Sequence, residues 1–460
     1  MKFEELEIEP KIIQVLNQLG YDEMLPIQEK VIPVMESGKD CFVQSRTGSG
    51  KTIAYGLPII ESLQENEREP QALILAPTRE LAVQITKELT LLGTYKRVKC
   101  LSLIGKQAMT MQAEDLKQRT HIVVGTPGRV FDHLEQGNFV LDQVKYLVLD
   151  EADALLNPDF YEKIGKILAY FPHKPQICLV SATKNTAAQD FMDTHMADFV
   201  SLRIDTKNEQ IEQYALQVPE EQKLETMVQV LLQTCPQACV IFCATQQRVR
   251  EVTQFLRAKG VSVAGIHAGL DQAERFSVLD AFKQGKICLL VATDVLARGV
   301  DIEKVDFVLN YDAPSTQTLS IHRMGRSGRI HQKGKVLTFY VSENSYMAEQ
   351  KKWVLQPVED EAKAWKTLQE CHRQVTDKAA LVRKDVTCLY LNVGKSKKIR
   401  PGDIVGATLH IDGLEMDDIG VIRVQDHQSF VDIYHNKADL VLKGLHTIKK
   451  KSVRVEISHA

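Results

Sequence analysis

From about residue 40 onward, short continuous apolar runs alternate with longer stretches of helical period. Cys41–Gln44, Ala72–Ala76, His121–Gly125, Tyr146–Leu149 and Ile177–Ser181 form a first series. Val240–Cys243, Val261–His267, Ile287–Ala292, Phe307–Asn310 and Val336–Tyr340 form a second. A strand that is apolar on both faces must be covered on both, so each series predicts a parallel sheet with helices on either side. Between them, Arg203–Gln210 is polar and follows neither period. The texture changes after residue 384. Cys388–Val393, Gly420–Val424, Phe430–Tyr434 and Val453–Ile457 alternate apolar and polar positions around one helical stretch, Pro401–Leu409. Alternation predicts an antiparallel sheet with one face packed and one face free. The expected fold class is therefore α/β, two tandem parallel-sheet domains followed by a small α+β domain. The expected boundaries are 1–205, 206–375 with a closing helix at Glu359–Val375, a polar connector at 376–384, and 385–460.

A chain of 460 residues exceeds what one core usually organises, in keeping with several folded units. Hydrophobic residues make up 44% and charged residues 25%, a balance that excludes a disordered or collagen-like chain. The net charge is −3, so a nucleic-acid partner would have to be held by local basic patches. The nine cysteines sit mostly inside apolar runs, as small buried hydrophobes rather than a disulfide framework. Cys235, Cys239 and Cys243 lack the paired spacing and nearby histidine of a zinc site. No apolar run reaches the ~18 residues that span a bilayer, and the first ten residues are acidic where a signal peptide is basic and then apolar. A cytoplasmic protein with no membrane partner is expected.

The strongest local signal is Ser45-Arg46-Thr47-Gly48-Ser49-Gly50-Lys51-Thr52, set between a strand and a helix. A turn of small residues at a helix amino terminus presents backbone N–H groups to phosphate. Lys51 supplies a cation for the outer phosphates and the Thr52 hydroxyl a ligand for Mg2+. Ser45 replaces the usual first glycine but keeps the position small. A second strand ends in Asp150-Glu151-Ala152-Asp153. An aspartate there is placed to hold Mg2+ through its water shell, and the next carboxylate to orient or deprotonate an attacking water. In the second unit Arg323, Arg326 and Arg329 recur every third residue, which stacks them on one face if the segment is helical. Planar guanidiniums suit the spread charge of phosphoryl transfer.

Taken in order, these motifs resemble a DEAD-box RNA helicase over about residues 1–370. The series is Phe3, Gly20-Tyr21, Pro26-Ile27-Gln28, Ser45–Thr52, Pro77–Leu81, Thr126–Arg129, Asp150–Asp153 and Ser181–Thr183. It continues through Val240–Thr245, Gln272–Arg275, Ala292–Asp294, Ala297–Asp301 and His322–Arg329. The resemblance implies that Gln28 reads adenine, that Phe3 or Tyr21 packs on its ring, that Asp301 contacts the ribose, and that Arg326 and Arg329 act as arginine fingers. Ser181, Thr183 and His322 would join Asp153 in coupling hydrolysis to RNA. The RNA path would be lined by Pro77, Thr78, Arg79, Gly105, Thr126, Gly128, Arg129, Thr245, Gln272, Arg275, Thr293, Asp294 and Arg298, mainly through phosphates and 2′-hydroxyls. Met24-Leu25 departs from the family's Pro-Thr, and Lys184 from an apolar residue; neither removes a catalytic group. An RNA-binding clamp or chaperone with weak ATPase, and a general mRNA or DNA motor, remain open readings.

In the last module, Tyr390 points away from Leu389, Leu391 and Val393, and Phe430 away from Val431 and Ile433. Aromatic side chains on a free sheet face can stack bases, as in RNA-recognition motifs, or pack beneath a loop. Lys395, Lys397, Lys398 and Arg400 form one basic segment and Lys449, Lys450 and Lys451 another, suited to RNA phosphates. The stretch 389–406 with Asp417–Gly420 is similar to the terminal domain of DbpA-like bacterial helicases. That resemblance implies a monomer delivered to a 23S rRNA hairpin in pre-50S particles.

Overall fold

The computed structural model describes residues 1–45, 49–196, 198–204, 211–294, 305–327, 334–342, 350–370, 373 and 381–458. The first sheet contains β1 (Cys41–Gln44), β2 (Ala72–Leu75), β3 (Cys100–Leu103), β4 (Ile122–Gly125), β5 (Tyr146–Asp150), β6 (Gln176–Ser181) and β7 (Val200–Arg203). Their order is β3-β4-β2-β5-β6-β1-β7, and every neighbouring pair is parallel. The second sheet contains β8 (Ile211–Gln217), β9 (Cys239–Phe242), β10 (Val263–Ile266), β11 (Leu289–Ala292), β12 (Phe307–Asn310) and β13 (Gly334–Tyr340). It runs β10-β11-β9-β12-β13-β8, again all parallel.

Each of these sheets separates two apolar layers. Val43, Ile74 and Val148 face the helices Pro26–Glu36 and Arg79–Leu92, whereas Phe42, Leu73 and Leu147 face the layer containing Pro158–Leu168. The continuous runs are therefore strands covered on both faces, as expected; all are central except β10, which stands at the edge of the second sheet. Strands β3, β7 and β8 did not stand out in the sequence. All three lie at sheet edges, where one side of the backbone is unpaired and polar residues are tolerated, as in Val200-Ser201-Leu202-Arg203. The closing helix is shorter than expected, Glu361–Gln369. Among the described residues seven cysteines are free, but Cys288 is disulfide-bonded, contrary to the expectation that the cysteines are unpaired hydrophobes.

The third domain is antiparallel, with β14 (Thr387–Leu391), β15 (Ile419–Val424), β16 (Ser429–Ile433) and β19 (Val455–Ile457) in the order β15-β16-β14-β19. A small hairpin, β17 (Thr447–Ile448) with β18 (Lys451–Ser452), precedes the last strand. Leu389, Leu391, Val431 and Ile433 are sealed beneath the sheet by helices including Pro401–Leu409, while Tyr390 and Phe430 face outward and are half-buried.

His133, at the end of the helix Pro127–Glu135, is fully buried between Gln112 Oε1 (3.0 Å) and Asn138 Nδ2 (3.0 Å). The neutral ring donates to the first and accepts from the second. Burial, aided by the charge of Arg129, pushes its pKa down to about 4. The unfolded chain thus binds this proton more readily than the folded one, so stability is lost as pH falls from the ordinary histidine range toward 4. In thermal melts over that range, His133→Gln should lose less Tm than the native chain; identical pH slopes would exclude His133 as a contributor.

Candidate nucleotide cleft and nucleic-acid interface

The phosphate loop leaves β1 and enters the helix Lys51–Ser62 through Gly50, whose φ of 85° is left-handed. A Cβ there would meet Gln28 Nε2 and Leu25 Cδ1 at 2.8 Å, so glycine is needed for the close approach of these two side chains. Gln28 is buried; its Oε1 accepts from Leu25 N at 2.8 Å, and its Nε2 donates to Gly50 O at 3.4 Å. The adenine-reading candidate is thereby tied to the phosphate loop, and Leu25, the unusual residue, packs at their junction. Ser45 is held by Ser49, Oγ to Oγ at 2.7 Å, and its N–H donates to Ser181 O at 2.8 Å, which gives the hydroxyl in place of glycine a partner. Arg46, Thr47 and Gly48 lie outside the described residues. Phe3 is only 1% exposed and belongs to the core of the first domain, so it presents no face to a ring; Tyr21, half-buried, is the remaining candidate.

Lys51 is buried and acts on the charges of Asp150, Glu151 and Asp153. Asp150 closes β5 and accepts from Tyr55 Oη (3.0 Å) and Glu151 N (2.9 Å). Glu151 turns the chain with a φ of 53°. Burial raises the pKa of Asp150 and of Glu151; Lys51 opposes the rise at the first, Arg326 and then Lys51 at the second. Arg326 comes from the second domain and is 3% exposed, so the two domains share one buried charge cluster. The Asp153 side chain is also buried, yet its pKa is lowered. Burial is the largest influence and acts upward, but His322 and Thr183 together overcome it. Thr183 Oγ1 donates to Asp153 Oδ2 at 2.8 Å, and His322 Nε2 lies 3.4 Å from the same oxygen. Ser181 completes the chain, its Oγ donating to Thr183 O at 2.6 Å.

Arg323 departs from the expectation of three arginines on one face. The helix Gln317–Met324 ends before Arg326, and Arg323 turns into the second domain's core. There it binds Asp294 Oδ1 (2.6 Å), Asn310 Oδ1 (3.2 Å) and Asp312 O (2.7 Å) over the Phe242 ring. Its role is to brace Asp294, not to reach the cleft. Arg298, Asp301 and Arg329 lie outside the described residues.

Across the domain boundary a groove of about 510 Å3 is lined by Pro77, Thr78, Arg79, Gly105, Thr126, Gly128 and Arg129 from the first domain and Arg275 from the second. Eight of the predicted RNA contacts are thus assembled into one surface by four separate loops and helix starts. Gln272 stands beside it, accepting from Arg79 Nη1 at 3.3 Å and donating to Glu80 Oε1 at 2.7 Å. Thr245, Thr293 and Asp294 are not among the groove-lining residues; Thr245 instead caps the helix Gln246–Ala258, accepting from Arg248 N at 3.1 Å. Three residues escaped the sequence reading. Tyr55 steadies Asp150. Gln112 joins Ile104 O, Arg129 and His133 beneath the groove. Glu80, buried, pairs with Arg275 Nη2 at 3.1 Å across the domains. Glu80 was visible inside Pro77–Leu81, but nothing in the sequence said that it faces the other domain.

The basic segments of the third domain meet along one edge. Lys449 Nζ reaches Lys398 O (3.4 Å) and pairs with Asp403 (2.7 Å), and Lys451 donates to Lys397 O. Lys395 Nζ lies 3.5 Å from Glu114 of the first domain, and Arg400 and Lys450 are exposed. Tyr390 and Phe430 are direct cross-strand partners with ring centroids 5.9 Å apart, edge to face.

Comparison with known proteins agrees with this geometry. The DEAD/DEAH box helicase family matches residues 25–191, the helicase conserved C-terminal domain residues 222–331, and the DbpA RNA binding domain residues 388–457. Among solved structures, Saccharomyces cerevisiae Dbp5 bound to RNA and ADP BeF3 superposes with a TM-score of 0.69 at 26% identity, over 83% of this chain and 99% of that one. Mss116p bound to ssRNA and AMP-PNP gives 0.69 at 27%, over 80% and 82%. The ATP-dependent RNA helicase DbpA of Bacillus subtilis (strain 168) is 40% identical over 473 residues, 98% of each chain. CshA of Geobacillus kaustophilus (strain HTA426) is 40% identical over 340 residues, 73% of each. The chain belongs to the DEAD-box ATP-dependent RNA helicases. Its terminal domain and its full-length match to the Bacillus protein make it one of the DbpA type.

Removing one partner of a buried ion pair costs about 3 kcal/mol or more, roughly a hundredfold in an equilibrium constant. Glu80→Ala should therefore disfavour domain closure and raise the RNA concentration needed for half-maximal ATPase by up to that factor, with the Tm of the first domain little changed. An unaltered RNA dependence would show that the Glu80–Arg275 contact does not contribute to closure.

Proposed function

We propose that this helicase hydrolyses ATP at the cleft between its two parallel-sheet domains and uses closure of that cleft to strain short RNA duplexes. The observation that carries the reading is the shared charge cluster, in which Glu151 and Asp153 of one domain meet Arg326 and His322 of the other. Such a cluster is complete only when the domains are together, so chemistry and closure depend on each other.

Lys51 and the loop 45–52 bind the phosphates, Gln28 recognises adenine with Tyr21 beside it, and Asp301 meets the ribose. Glu151 orients or deprotonates the attacking water, and Arg326 with Arg329 neutralises the charge that builds on the transferred phosphoryl group. Among the described residues no group of three or more His, Cys, Asp or Glu forms a metal cage. Mg2+ arriving with ATP needs none, since one carboxylate and a hydroxyl suffice beside the phosphates. Asp150, buried and pinned by Tyr55, and Thr52 at the helix start suit that task; bound there, Mg2+ would offset phosphate charge. Asp153, Ser181, Thr183 and His322 pass the state of the cleft to the groove, where Pro77, Thr78, Arg79, Gly105, Thr126, Gly128, Arg129, Gln272 and Arg275 hold RNA. Thr245, Thr293 and Asp294 extend the path on the second domain, with Arg298.

The third domain supplies the address. The clustered Lys395, Lys397, Lys398, Arg400, Lys449, Lys450 and Lys451 grip phosphates, and Tyr390 and Phe430 offer ring edges to an unpaired base. The RNA-binding domain and its clustered cations support RNA as the target of this domain; we infer from the resemblance of residues 389–406 that the RNA is a 23S rRNA hairpin of the assembling large subunit, read by a cytoplasmic monomer.

Glu151→Gln should retain ATP and RNA binding while phosphate release falls by about two to four orders of magnitude; near-normal turnover would remove Glu151 from the role of base. Deleting 385–460 should leave basal ATPase but abolish preferential stimulation by the ribosomal hairpin over unrelated RNA, measured as the ratio of KM values. An unchanged ratio would refute the targeting role.

A further inference from the structure

The third domain is not merely tethered, because its side chains enter the packing of the first domain. Tyr434 follows β16 yet is 2% exposed and lies within the first domain's apolar core cluster, as does Val382 of the preceding segment. The Tyr434 ring meets that of Tyr95 edge to face at 5.4 Å, and its hydroxyl donates to Thr94 O at 2.7 Å. In the reverse direction, Tyr95 Oη donates to Asp385 Oδ1 at 2.6 Å and accepts from Gln18 Nε2 at 3.1 Å. Arg97, which has a left-handed φ of 54°, donates from Nη2 to Met416 O at 2.6 Å. Asp417 faces Arg97 and Lys11, at 3.6 and 3.5 Å.

The third domain is also shaped to project Tyr434. A Cβ on Gly420 in β15 would lie 2.5 Å from the ring, so the strand is bare where the tyrosine crosses it. Burial, followed by Asp385, raises the Tyr95 pKa to about 12, so that phenol remains a donor at working pH. Further along, Gln118 donates to Val424 O at 3.4 Å, and Lys395 meets Glu114, extending the contact to a second site on the first domain. Apolar packing, two buried phenol hydrogen bonds and complementary charge together distinguish an interface from a chance touch.

We infer that the RNA-binding domain is docked on the first motor domain through Tyr434 and Tyr95, and that the two move as one body while the second motor domain opens and closes against them. RNA held by the address domain is then fixed in relation to the phosphate loop, and only the half carrying Arg326 and His322 travels. This rests on the helicase reading but not on the identity of the RNA.

The test is distance measurement on the full chain, with dyes attached by click chemistry at exposed positions Met111, Ala258 and Leu440 in the first, second and third domains. The Met111–Leu440 pair should give a single transfer efficiency, unchanged by RNA with a non-hydrolysable ATP analogue, whereas the Met111–Ala258 pair should shift. Tyr434→Ala should broaden the first signal, and Tyr434→Phe, which keeps the ring and removes one buried hydrogen bond, should do so partially. The inference is overturned if the Met111–Leu440 distance changes together with the second domain, if it is already broad in the native chain, or if both Tyr434 variants leave it unaltered. Because the readout is a distance, it fails separately from hydrolysis.

Discussion

The Asp153 carboxyl is held below the usual aspartate range in spite of its burial, because both halves of the motor attend to it. Burial by itself would drive it toward the neutral form; Thr183 of its own domain and His322 of the other reverse that tendency. A charge so held makes closure and electrostatics a single event, since separating the domains removes the imidazole and readmits water. Glu151 and Arg326 meet across the same boundary two residues earlier, although there burial prevails and the Glu151 pKa stays raised, and Glu80 with Arg275 pairs across it at the groove. At each of these points an acidic residue from the first domain meets an arginine or histidine nitrogen from the second, so opening the cleft would return to water the groups that closure pairs and buries.

The same sorting explains how a chain with a net charge of −3 handles a polyanion. Its cations are placed rather than abundant. Arg79, Arg129 and Arg275 converge on one groove. Lysines from two segments 50 residues apart share an edge of the third domain, several of them borrowing backbone carbonyls to hold position. Arg323 shows the converse, a cation spent wholly on internal order, where Asp294, Asn310 and a carbonyl surround it. Spacing alone could not separate it from Arg326, because a helix ending at Met324 sends the two in different directions.

The sequence by itself determined the parts whose cause is local. A strand apolar on both faces must be covered on both, so β1, β2, β4, β5 and β6 could be read directly; alternation in β14 and β16 told which side of the third domain's sheet is packed. The phosphate loop and the Asp150–Asp153 strand end likewise carry their chemistry in adjacent residues. Tertiary structure decided whatever depends on a partner distant in the chain. Edge strands β3, β7 and β8 gain their identity from a neighbour, not from their own pattern. Phe3 became core, Glu80 an interdomain ligand, and Tyr434 part of a domain that ends more than 200 residues before it, because an aromatic ring or a carboxylate on a surface looks alike in sequence whether it will meet water, a substrate or another domain. Burial settles which, and burial is a property of the folded whole.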